Sequence, residues 1–146
     1  MDLQSFLPYR LAVVAEEVSR ALAVIYTDRF ELTREEWRVL VWLAAEPGMT
    51  ATELGAHANL DKMQVSRAIA RMEADGLLER APDPDDRRSL KVHLRPAGRA
   101  LFRKVEPMAL AREAFLLEAL EPHERTALDS ALSKLGERAR QLQRQG

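Results

Sequence analysis

Apolar residues recur at spacings of three and four along most of the chain, the period of a helix with one buried face. Leu11, Val14, Val18, Leu22 and Ile25 trace the first such seam. A second helix is predicted from the stretch TREE, where Thr33 can cap the first turn and Glu36 can reach back to it. Trp37, Leu40, Val41 and Ala44 then supply its core face, and Pro47-Gly48 ends it. The same start signal returns at TATE, with Thr50 and Glu53, ahead of a third helix that turns Leu54 and Ala58 inward. It returns once more at DKMQ, where Asp61 caps a fourth helix and Gln64 takes the reciprocal role. Only Asn59 and Leu60 separate the third helix from the fourth, the tight joint of a helix-turn-helix. Gly76 is placed to end the fourth helix in a left-handed conformation.

After Gly76 the period changes. LLERA reads as a short strand, and Leu90, Val92 and Leu94 alternate with Lys91 and His93 as a half-buried strand does. Together they predict a β-hairpin whose loop of about eight residues, around Pro82–Ser89, carries the charged tip DPDDRRS. Pro96 opens a fifth helix where its missing N–H is harmless, and Pro107 inside it is expected to kink it. A sixth helix follows EPHE, with Leu128, Leu132, Leu135, Ala139 and Leu142 as its seam. A helix-turn-helix that runs directly into a hairpin is a winged helix. The expected fold is therefore mainly α, a winged helix-turn-helix flanked by amino- and carboxy-terminal helices.

Composition narrows the class. A chain of 146 residues, 47% hydrophobic, suits one domain, and 31% charged with 5% aromatic residues suits a helix-rich one. The absence of cysteine excludes disulfides, a thiolate zinc site and a cysteine redox switch. No apolar run approaches the roughly 18–20 residues of a membrane span, and the amino terminus lacks a signal-peptide pattern, so a cytoplasmic location without a membrane partner is expected. The net charge is only −1, but it is unevenly spread. From Lys62 to Lys104 there are 11 Lys and Arg against 6 Asp and Glu, whereas the rest of the chain has 11 against 17. A locally basic segment of this kind is the footprint expected for a polyanion, with ordinary surface charge as the competing reading.

On a wheel of the fourth helix, Val65, Ala68, Ile69 and Met72 fall together as a core face. Met63, Arg67 and Ala70 lie opposite, flanked by Gln64, Ser66 and Arg71, with Lys62 at the helix start. Such a face can enter a major groove. Arg67 can bind guanine O6 and N7 in bidentate fashion, Gln64 can address adenine, and Met63 can touch a thymine methyl. Small Ala70 lets the helix lie close to the groove floor. Taken alone, the helix reads more readily as a plain solvated face.

The order of the parts adds to this. On a wing, Arg87 and Arg88 can reach into an adjacent minor groove, whose narrow electronegative floor attracts arginine. Asp85 or Asp86 can accept from a guanidinium and preorganise it. A solvated charged turn is the alternative.

These stretches resemble the multiple antibiotic resistance regulator (MarR) family of bacterial transcription factors. The likeness lies in LTREEWRVLVWLA (32–44), MTATELGAHANLDKMQVSRAIARMEADGLLER (49–80) and DPDDRRSLKVHLRPAGRAL (83–101), and it covers most of the chain. It implies one domain over residues 1–146, with a winged core at 31–99 and dimerisation helices at 1–30 and 100–146. It implies a recognition helix from Asp61 to Asp75, a wing arginine at Arg88 with Asp86 as its acidic partner, and Thr50 and Thr52 where the preceding helix meets phosphate. A homodimer on a pseudo-palindromic operator, usually repressing, follows from the same likeness. The apolar seams of the first and last helices point to a dimer independently, because uncovered they would form a large apolar patch.

Many members of that family are released by small anionic aromatic compounds. Tyr9, Arg10, Trp37 and His57 are the candidate lining for such an effector, although Trp37 at its spacing also reads as plain core. His57, His93 and His123 lack the clustering of a metal site, and no GxGxxG, P-loop or GxSxG motif is present. No metal, cofactor or enzymatic activity is expected. The rival to a DNA-binding regulator is a winged-helix module that binds an acidic protein with the same face.

Overall fold

The computed structural model describes every residue from Met1 to Gly146. A turn of 3-10 helix, Leu3–Ser5, precedes α1 (Leu7–Ala23), which runs into a π-helical turn at Val24–Arg29. There follow α2 (Arg34–Ala45), α3 (Ala51–Ala58), α4 (Lys62–Ala74), β1 (Leu78–Pro82), β2 (Leu90–Leu94), α5 (Pro96–Leu117) and α6 (Pro122–Gln145). The chain forms two compact units, Met1–Ala109 and Leu110–Gly146.

The predicted starts of α2, α3 and α4 are the observed ones. Thr33 and Thr50 cap α2 and α3 by accepting from the N–H groups of Glu36 and Glu53, each at 3.1 Å. At α4 the full box closes: Asp61 Oδ1 accepts from Gln64 N–H at 2.8 Å, and Gln64 Oε1 accepts from Asp61 N–H at 3.0 Å. Asn59, left-handed at φ 55°, turns the chain between α3 and α4. Its neighbour Leu60 returns an N–H to Gly55 O at 2.9 Å. Gly76, at φ 74°, releases the chain from α4 into the wing.

β1 and β2 pair antiparallel from Leu78↔Leu94 to Pro82↔Leu90. Their inner residues Leu78, Val92 and Leu94 are buried on the same core as Val39, Leu40 and Leu43 of α2, Leu54 of α3, Ile69 and Met72 of α4 and Val105 of α5. This core fixes α4 and the wing on one scaffold, and each fully buried aliphatic side chain in it is worth about 1.5–3 kcal/mol. An additional bridge joins Met49 to Val92, with Val92 N–H donating to Met49 O at 2.7 Å.

Three boundaries differ from the sequence expectation. The seam expected to run on to Ile25 in one helix is broken, because Ile25 sits in the π turn and is buried there with Tyr26. The first strand begins at Leu78 and includes Pro82, one residue later than its sequence signal. Helix α6 begins inside EPHE: Glu121 is the cap, Pro122 the first helical residue, and Glu124 N3 of the capping box. Helix α5 continues through Pro107 to Leu117.

Much apolar surface is left outside the core. On α1, Leu7, Leu11 and Val14 are exposed. In the second unit the same holds for Leu110 and Phe115 of α5 and for Leu128, Leu132, Leu135 and Leu142 of α6. None of the residues of α6 is buried.

Candidate nucleic-acid interface

Helix α4 divides as its sequence periodicity requires. Val65, Ala68, Ile69 and Met72 are buried, and Lys62, Met63, Ser66, Arg67 and Ala70 face solvent. Met63 is 62% exposed on this face. Thr52, Lys62 and Ser66 line one cleft of about 410 Å3 between α3 and α4. Thr50 is placed differently from Thr52. Its hydroxyl is engaged as the α3 cap, so only its remaining hydrogen-bonding capacity faces outward. Gln64 Oε1 is likewise held by the Asp61 N–H, which leaves its amide nitrogen as the free end for a base.

The wing tip is organised by its acids, though not through the guanidinium groups. Asp83 N–H donates to Ser89 O at 2.9 Å, and Asp86 N–H to Asp83 O at 3.2 Å. Asp85 N–H donates to Asp83 Oδ1 at 3.0 Å, and Arg88 N–H to Asp86 Oδ1 at 3.1 Å. Short Asx turns of this kind fix the backbone from which the arginine side chains project. The expected pairing of Asp85 or Asp86 with a wing guanidinium does not occur. Arg87 and Arg88 are exposed, and neither side chain makes a salt bridge. At the wing's edge, Lys91 Nζ lies 3.8 Å from both Asp83 and Glu53, linking wing and α3.

Two further contacts escape a reading of the motif alone. Arg80 of β1 forms a forked pair with Glu73 of α4. The hydrogen bond from Arg80 holds the Glu73 carboxyl below its usual range and raises the guanidinium in turn. Glu36, read as a cap partner, is only 2% exposed, and its Oε1 lies 3.4 Å from Arg71 Nη1. The fully buried face of α2 is Glu36, Val39, Leu40 and Leu43, whereas Trp37, Val41 and Ala44 of the expected face are only half-buried, so the sequence face was rotated by about one position.

The four effector candidates are scattered among separate contacts. Tyr9 and Arg10 are exposed on the first turns of α1. Trp37 stacks on Tyr26 with ring centres 5.7 Å apart, and His57 packs on Trp42 at 4.8 Å. Burial raises the Tyr26 hydroxyl above its usual range, partly offset by a hydrogen bond with Ser19. An open cavity of about 440 Å3 lies instead between α1 and α2, bordered by Ser19, Arg20, Arg34 and Arg38.

The sequence pattern of the MarR family matches residues 30–89, from the approach to α2 through the wing tip. The HTH-type transcriptional repressor Rv2887 of Mycobacterium tuberculosis is 31% identical over 132 residues, covering 90% of this chain and 91% of its own. The chain belongs to the MarR family. Solved structures agree with the fold. The repressor CouR, bound to a 23-mer DNA duplex, is 28% identical over 92% of this chain and 94% of its own, with a TM-score of 0.82. Bordetella bronchiseptica BpsR, whose DNA binding is regulated by 6-hydroxynicotinic acid, is 26% identical over 93% and 96%, with a TM-score of 0.85. This MarR-family chain is a DNA-binding transcriptional regulator with a winged helix-turn-helix. No helix in it is long and apolar enough to cross a membrane.

Proposed function

We propose that this regulator is a repressor that holds a pseudo-palindromic operator as a homodimer and is released by a small aromatic anion. The observation that carries the DNA contact is the pairing of two outward features on one scaffold. Helix α4 turns Met63, Ser66, Arg67 and Ala70 to solvent, and the wing projects Arg87 and Arg88 with their charges unpaired. In this reading residues 31–99 are the DNA-binding core. Arg67, Gln64 and Met63 read bases, while Thr50, Thr52, Lys62, Ser66 and Arg71 meet the backbone or groove edge. Arg87 and Arg88 enter the minor groove, and Asp86 shapes the turn that carries them.

The homodimer is supported by the exposed leucines of α1 and α6, within residues 1–30 and 100–146. Repression is supported by the name of the Mycobacterium tuberculosis relative. An anionic effector is supported by the regulation described for BpsR and by Arg34 and Arg38 at the α1–α2 cavity, where Arg20 is already paired with Glu16. That cavity is a better receptor than Tyr9, Arg10, Trp37 and His57, of which Trp37 and His57 are already taken up in separate stacking pairs.

Selection of randomised duplex DNA at near-physiological salt tests the operator, because non-specific binding depends steeply on salt. Enrichment of an inverted repeat with half-sites one turn apart is expected. No enrichment would favour an acidic protein partner for the same face. Calorimetry with salicylate-like compounds then tests the effector, and absence of heat at millimolar ligand would remove it.

A further inference from the structure

We propose that Glu36 is a positioning residue for DNA binding, its buried carboxylate holding Arg71 at one fixed place on the flank of the recognition helix. The proposal rests on α4 being that helix. Glu36 lies on α2, under α4, and is only 2% exposed. Its Oε1 accepts from the Thr33 hydroxyl at 3.1 Å and lies 3.4 Å from Arg71 Nη1. Its Oε2 is buried with no partner at all. A buried carboxylate oxygen left unsatisfied is costly, and a neutral side chain of the same shape would fill the position more cheaply. The charge therefore serves something other than the stability of the core.

What it holds is Arg71, whose side chain is 56% exposed and projects one turn beyond Arg67. Arg67 and Arg71 border the same cavity of about 390 Å3 as Thr33, Glu35, Glu36 and Gln64. A free arginine on a helix surface samples many rotamers, and docking on DNA must freeze them. Anchoring through Nη1 removes part of that cost and leaves the other guanidinium nitrogens pointing at solvent for a phosphate. Arg71 so held is a contact that positions the helix and reads no base.

The anchor has a titration of its own. Burial raises the Glu36 carboxyl above its usual range, with Arg71 and the Thr33 hydrogen bonds pulling the other way and Asp75 of α4 adding to the rise. Glu35 and Arg67, the other charged groups of the cavity, complete its surroundings. As pH falls through the raised value, Glu36 takes up a proton and Arg71 is released. The raised value also sets the sign for stability: the neutral carboxyl is the form the fold prefers, so ionisation at neutral pH costs stability.

The test compares wild type, Glu36→Gln, Arg71→Ala and the double variant by anisotropy on the selected operator, with thermal melts alongside. At about pH 8 Glu36→Gln is expected to bind about fivefold more weakly and Arg71→Ala about tenfold, with the double variant no weaker than Arg71→Ala alone, because Glu36 acts only through Arg71. Glu36→Gln is expected to melt no lower than wild type. As pH falls through the raised Glu36 value, the ratio of wild-type to Glu36→Gln affinity should fall toward one. Losses that multiply in the double variant, or wild-type affinity in Glu36→Gln, would overturn the proposal. Should Glu36→Gln melt lower, the decision falls to Arg71→Ala. The gap between its affinity and that of wild type should then narrow at low pH, where Arg71 is released in wild type, and a constant ratio would overturn the idea. Arg67→Ala and Arg88→Ala are the controls: full operator affinity in both would instead sink the recognition-helix reading itself.

Discussion

Arg80 on β1 closes on Glu73 of α4 through two parallel hydrogen bonds, 2.8 Å from Nη2 to Oε1 and 3.2 Å from Nε to Oε2. The fork fixes direction as well as distance, so the base of the wing is tied to the recognition helix. Both side chains are 39% exposed, which keeps the contribution to stability small. Its pH dependence is nevertheless defined. The Glu73 carboxyl is held below its usual range by Arg80, so the stabilisation is present above the unfolded carboxylate range and is lost as pH falls through the folded value. Arg80→Ala should melt slightly below wild type at neutral pH, and the gap should close in acid. A gap of equal size at both pH values would show that the ion pair is not its source.

Arg67 and Arg88 should fail in different ways. Arg67 faces the expected groove floor from the middle of α4, and Arg88 leaves a turn fixed by Asp86. Replacement of Arg88 by Ala should weaken binding to operator and random duplex alike and should flatten the salt dependence. Replacement of Arg67 should also relax preference at one base pair, by about 1–3 kcal/mol. Competition binding against operators varied at each position separates the two. Equal losses on specific and random DNA for both variants would remove base readout from Arg67.

Gly98 explains why the chain needs PAG where α5 leaves the wing. A Cβ at this position would stand 2.2 Å from Leu77 O, a backbone atom that cannot swing aside. That same carbonyl accepts from Arg95 N–H at 2.9 Å, so the contact sits at the joint between wing and α5. Gly98→Ala should therefore destabilise the fold although alanine favours helices, by about 1–3 kcal/mol for forced repacking. Urea unfolding measures it. A stability equal to or above wild type would mean that the joint is looser than its geometry.

Legibility in the sequence followed the range of each interaction. Capping signals lie within four residues, and Thr33, Thr50 and Asp61 are caps as their spacing requires. The core face of α4 was likewise readable, because Val65, Ala68, Ile69 and Met72 repeat at the helical period. The wing acids were identified as organisers, but their partner was not. A short Asp side chain reaches a backbone N–H two residues away more readily than a mobile guanidinium, and Asp86 does so. Contacts between elements stayed hidden. Nothing local to Glu36 names Arg71, 35 residues away, and nothing local to Arg80 separates Glu73 from Glu79 as its partner. Trp37, which its spacing also allowed as plain core, packs on Tyr26 against the core, and His57, read only as lining, packs on Trp42.

The apolar stripe of α6 gives the last prediction. Leu128, Leu132, Leu135 and Leu142 recur at helical spacing, and Leu132 is 51% exposed. A helix with no buried residue and a continuous leucine seam is unstable in isolation unless a partner covers that seam. In a two-fold dimer one substitution acts twice, and each leucine buried there is worth about 1.5–3 kcal/mol. Leu132→Asp should thus shift the protein toward monomer in sedimentation velocity, with the circular dichroism of the winged core retained. Two recognition helices set about 34–36 Å apart bind a full operator together, so the monomer should lose affinity for two half-sites far more than for one. A variant that stays dimeric would move the interface off this face of α6, and a monomer with undiminished full-site affinity would separate dimerisation from operator recognition.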